Sequence, residues 1–76
     1  MKNAKRIRFK KVAEKRVDKI IDMLRLLGNC SNKNNYEFTQ KDVDYMFDEI
    51  HKALKDANAR FESELRRAEQ KKFKFK

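Results

Sequence analysis

Chemistry on a side chain needs a nucleophile, a base or a metal ligand, and this chain of 76 residues offers few of each. Its single histidine is His51 and its single cysteine is Cys30. Neither stands in the CxxC or HxxxH spacing that gathers a metal ion, and no base is evident to activate the Cys30 thiol. Asp42, Asp44, Asp48 and Glu49 form the dense carboxylate group of the chain. General acid–base work by two carboxylates requires a cleft that separates their pKa values, whereas the first turns of a helix attract acidic residues through the macrodipole. The second account suffices. No catalytic, cofactor-binding or metal-binding residue is assigned, and an enzyme is not expected.

The cations are more informative. The chain holds 21 basic and 12 acidic side chains, a net charge of +9. Residues 1–16 carry eight basic and one acidic, net +7; residues 17–59 carry six and eight, net −2; residues 60–76 carry seven and three, net +4. Lys2, Lys5, Arg6, Arg8, Lys10, Lys11 and Lys15 at one end, and Arg66, Arg67, Lys71, Lys72, Lys74 and Lys76 at the other, are suited to phosphates. A polyanion that exchanges its condensed counterions for such cations is bound without any base contact. Phe9, Phe73 and Phe75 interleave with them, and a ring beside a cation can stack on an unpaired base. DNA or RNA is therefore the expected partner. Three other accounts compete: a solvated tail that aids solubility, a protein with an acidic surface, and anionic headgroups, for which the stretch is short.

The elements that position these charges follow from composition and period. With no proline, one glycine and 43% charged residues, the chain suits helices and not a turn-rich β fold. Ala13, Val17, Ile20, Leu24 and Leu27 recur at helical spacing, which predicts a helix from about Lys10 to Leu27. Ile21 widens its apolar arc on one side and Val12 and Met23 on the other, to nearly half the circumference, so this helix should touch more than one neighbour. Arg16 falls inside that arc, either as an interface arginine paired across a dimer or as a snorkelling side chain. Gly28 is expected to end the helix in the left-handed C′ position.

The second helix opens on "EFTQKDV". Thr39 is the N-cap, Asp42 stands where a capping box places Glu or Gln, and Phe38 and Val43 occupy the two staple positions. Val43, Phe47, Ile50, Leu54, Ala57 and Phe61 then form a seam with coiled-coil spacing. Leu65 and Ala68 extend it toward Gln70, although Glu64 takes a position the heptad reserves for an apolar residue. Between the helices, "NCSNKNNYEF" has four asparagines in ten residues. It reads as a turn-rich loop, longer than most helix–helix connections.

At "LRLLGNCSNKNNYEFTQKDVDYMF" the chain resembles a family of small, functionally uncharacterised helical proteins of bacterial mobile elements and phages. Their shared pattern is close to R-L-L-G-N-x-S-N-x-x-N-Y-x-Y/F-T-x-x-D-V, matched here from Arg25 to Val43. The matches include Gly28, Asn29, Ser31, Asn32, Asn35, Tyr36 and Thr39. The resemblance implies a bacterial or phage origin and no chemistry, and the basic tail after Phe61 lies outside the pattern.

The expected architecture is all-α: an antiparallel two-helix hairpin over about 10–27 and 40–70, with a basic arm over 1–9 and a basic, aromatic tail over 71–76. An 18-residue first helix spans roughly 27 Å and would leave Phe61, Leu65 and Ala68 overhanging. Either the N-terminal arm (Ile7, Phe9) or a second copy would cover them; the second is favoured, giving a homodimer built as a four-helix bundle, with Val12, Arg16, Met23, Phe61 and Leu65 at its interface. The hairpin would also bring both basic termini to one end. The period-2 alternation of "RIRF" and "KFKF" offers short terminal strands instead, Ile7, Phe9, Phe73 and Phe75 sharing one face. In that form the N-terminal half resembles the ribbon-helix-helix class of DNA-binding dimers, with Arg6, Arg8 and Lys10 facing the groove. No apolar run approaches the roughly 20 residues of a membrane span. A lone cysteine and the lack of an apolar leader lead to the expectation of a cytoplasmic protein. A non-catalytic nucleic-acid-binding accessory or regulatory factor is the favoured reading. A helical module that binds or inhibits another protein through its first helix is the alternative.

Overall fold

The computed structural model describes residues 3–70, with side chains through Ala68. These residues form two helices and no strand: α1 spans Ala4–Asn29 and α2 spans Gln40–Gln70. The all-α expectation holds for them.

α1 begins six residues before the expected Lys10, because Asn3 caps it. Asn3 has extended backbone, and its side chain accepts the Arg6 N–H at 3.0 Å. Its carbonyl accepts the Ile7 N–H at 3.1 Å, the first i→i−4 bond of the helix. Arg6–Phe9 is consequently helix and not strand, and the ribbon-helix-helix alternative loses its N-terminal strand. Ile7 and Phe9, which would share a face on a strand, stand nearly opposite each other at about 100° per residue. Phe9 instead falls on the line of Leu27 and extends the Ala13–Ile20–Leu27 seam by a turn. The paired strand expected over Phe73 and Phe75 lies outside the described residues, as do Lys2, Lys71, Lys72, Lys74 and Lys76.

The other end of α1 also departs from expectation. Gly28 is not in a left-handed C′ position; no described glycine has positive φ, and α1 continues through Asn29. The last turn closes by tighter i→i+3 bonds, from the Cys30 N–H to the Leu27 carbonyl (2.9 Å) and from Ser31 to Gly28 (3.1 Å). Such bonds satisfy terminal carbonyls without a left-handed residue.

The connection is organised by Asn32. Its side-chain oxygen accepts the Asn34 N–H at 2.9 Å, and its carbonyl accepts from Asn35 (3.1 Å) and Tyr36 (3.0 Å). This is the asparagine turn chemistry expected of the segment. α2 then starts as expected. The Asp42 N–H donates to Thr39 Oγ1 at 3.2 Å, and the Thr39 N–H donates to Asp42 Oδ2 at 2.9 Å. Phe38 and Val43 are half-buried on either side of that cap, the positions of a hydrophobic staple.

No described residue is buried; Ala13, Leu27, Phe38, Val43 and Ile50 are the partly covered ones. Each helix carries its apolar seam on its surface. In α2 the spacing changes after Phe61: Leu54 to Leu65 and Ala57 to Ala68 are each 11 residues apart. An 11-residue step follows a straight helix more closely than a heptad does, so Leu65 stays on the stripe while Glu64 stands beside it. α1 has 26 residues and α2 has 31.

Candidate functional site

The residues singled out for catalysis have structural occupations. Asp42 completes the cap, Asp44 accepts from the Gln40 side chain at 2.9 Å, and Glu49 pairs with Lys52 at 3.2 Å. Cys30 is a free, exposed thiol at the C-cap of α1. His51 borders a shallow hollow on α2 with Leu54, Lys55, Ala57, Asn58 and Phe61. Among the described residues, no group of three His, Cys, Asp or Glu side chains is placed to hold a metal ion, and no helix is long and apolar enough to cross a membrane.

The cations present a different picture. α1 holds nine basic and three acidic side chains, net +6, while Gln40–Gln70 holds six and eight, net −2. Seven of the nine, Lys5, Arg6, Arg8, Lys10, Lys11, Lys15 and Arg16, lie in its first half, where Glu14 is the one acid. All seven are exposed. The ion pairs among the described residues lie elsewhere: Asp22–Arg25 at 2.7 Å, Glu49–Lys52 at 3.2 Å and Glu64–Arg67 at 3.1 Å. The last engages Arg67 of the expected binding set; Arg66 is exposed beside it.

These charges do not serve the helix they stand on. The first turn of α1 has no acidic residue and the last turn no basic one. Cations near a helix N-terminus oppose the macrodipole, at about 0.3–1 kcal/mol each for exposed groups. α2 does the reverse, with Asp42 in its first turn and Arg67 in its last.

Of the expected dimer contacts, Val12, Met23, Phe61 and Leu65 are exposed apolar side chains, at 41, 64, 58 and 64%. Arg16 is exposed without an ion pair among the described residues. What period-2 reading of the N-terminus missed is that the basic arm is helical from Ala4 onward. Asn3 was the available signal, since asparagine is among the preferred N-caps. No family model matches the chain, and no match is found among curated proteins or solved structures.

Proposed function

We propose that this protein is a non-catalytic nucleic-acid-binding accessory or regulatory factor. The observation that carries the proposal is the density of exposed cations on the first half of α1, none of them ion-paired among the described residues, with Lys5 and Arg6 in the first turn set against the helix dipole. A polyanion relieves that repulsion, and counterion release supplies the affinity. Lys5, Arg6, Arg8, Lys10, Lys11, Arg66 and Arg67 are the binding residues within the described range, and the tail cations with Phe73 and Phe75 add to them. The working form is an antiparallel hairpin that dimerises, since the wide apolar arc of α1 exceeds what one neighbour covers. The resemblance to mobile-element and phage proteins makes the setting a bacterial cytoplasm.

Fluorescence anisotropy with labelled oligonucleotides tests this reading. Affinity falls steeply with salt, and removing residues 71–76 weakens binding and lowers the salt slope. Absence of binding to DNA and RNA at low salt would end the proposal.

The second reading, a module that docks on another protein through α1, is favoured by the exposed seam of Val17, Ile20 and Leu24 (51, 57 and 43%). A pull-down from bacterial lysate with and without nuclease separates the two, because a protein partner survives digestion.

A further inference from the structure

We infer that the ligand of α1 is the phosphate backbone of a duplex, gripped by a single line of cations formed by Arg8, Lys11, Lys15 and Lys19. This deepens the function proposed above and rests on it. Once α1 starts at Ala4, these four residues, at spacings of three, four and four, share one face of one continuous helix. All four are exposed and none takes part in an ion pair among the described residues. The line is about 16 Å long and is centred about 160° from the Ala13–Ile20–Leu24 seam. The seam can therefore be covered while the cationic face stays open, with Val12 and Met23 at the border between the two.

Two features choose a duplex over a single strand. Binding of unpaired bases combines cations with aromatic platforms on which bases stack. The one aromatic residue of α1 is Phe9, and the helical register places it on the seam side, about 120° from the cation line. A ring there competes for the apolar contact and not for a base. The second feature is regular spacing: a row of cations repeating about once per turn along one helix suits a duplex, which presents one phosphate charge per roughly 1.7 Å of its axis. Asp18 and Asp22 border the far end of the line at Lys19, with Asp22 drawn to Arg25 at 2.7 Å. The grip is strongest from Arg8 to Lys15 and weakest at Lys19. No base edge is read, so recognition is of shape and charge.

The test compares a short duplex with a single strand of the same length, by anisotropy across a salt series, using the full chain. The duplex binds more tightly, by about tenfold or more at low salt. Replacing Arg8, Lys11, Lys15 and Lys19 with glutamine lowers the duplex salt slope by about 3 to 4, near 0.9 per lost phosphate contact. Glutamine is a good helix former, and an unchanged far-UV circular dichroism spectrum verifies that α1 survives. A charge-matched control, with Lys33, Lys41, Lys52 and Lys55 changed to glutamine, alters the slope by less than about 1. Equal or tighter binding of the single strand overturns the inference and leaves the proposed function standing. So does a stripe variant no weaker than its charge-matched control. Failure to bind either oligonucleotide, with or without binding to vesicles of anionic phospholipid, removes both.

Discussion

Gly28 shows how a single residue can be read two ways. As a left-handed C′ residue it would be irreplaceable, since a Cβ there costs free energy that glycine avoids. Inside α1, with nothing beyond the adjoining residues and the helix's own backbone within 4 Å of where a Cβ would stand, it is simply the poorest helix former in its turn. Gly28→Ala is therefore expected to stabilise the protein by about 0.5–1 kcal/mol, seen as a higher denaturation midpoint at fixed protein concentration. A loss of stability would restore the left-handed reading. Thr39 is the opposite case, because both hydrogen bonds of its box with Asp42 are present. Thr39→Ala should cost about 1 kcal/mol. Asp42→Ala removes the other bond, whose donor is the Thr39 backbone N–H, so it should still destabilise the protein in the Thr39→Ala background. The three exposed ion pairs are worth a few tenths of a kcal/mol at most, so their removal should be nearly silent.

The same contrast explains what was legible at the level of the elements. The start of α2 was readable because a capping box and a staple are local: six consecutive residues hold all the interactions. The seams of both helices were readable from spacing alone. The N-terminal boundary of α1 was not, because "RIRF" alternates at period 2 and is too short for a helical period to show within it. Asn3 decides the matter through its bond to the Arg6 N–H, outside the alternating stretch. The helix so formed carries its charge against its own dipole, which separates stability from function. Lys5→Glu and Arg6→Glu should each raise helix stability by about 0.3–1 kcal/mol while weakening nucleic-acid binding. Thermal melts by circular dichroism and oligonucleotide titrations on the same variants check both halves. Variants that lose stability and affinity together would show that the cations are structural.

At the scale of the whole molecule the seams pose the question that local rules leave open. Helices are marginal without tertiary packing of an apolar face, and a chain of this length gains much of its stability by assembling. Local spacing says which residues need covering and not what covers them, so it defines the helices and leaves their partners open. The case for a second copy rests on the width of the apolar arc of α1: Val12 and Met23 flank the seam on the side where Arg16 stands, and both are exposed. In a homodimer these residues meet the partner copy, and Arg16 finds an acid across the interface. Mass action then makes stability depend on concentration. The unfolding temperature should rise with protein concentration, and light scattering at micromolar concentration should give twice the 9.2 kDa chain mass. Met23→Asp, at the flank of the arc, should halve that mass, since an unpaired carboxylate resists burial. Met23 stands one turn beyond Lys19, about 75° from the centre of the cation line, so the same variant should still bind a duplex, with lower affinity from the loss of the second copy and from a carboxylate beside Lys19. A monomer mass for the unsubstituted chain, with an unfolding temperature independent of concentration, would refute the dimer.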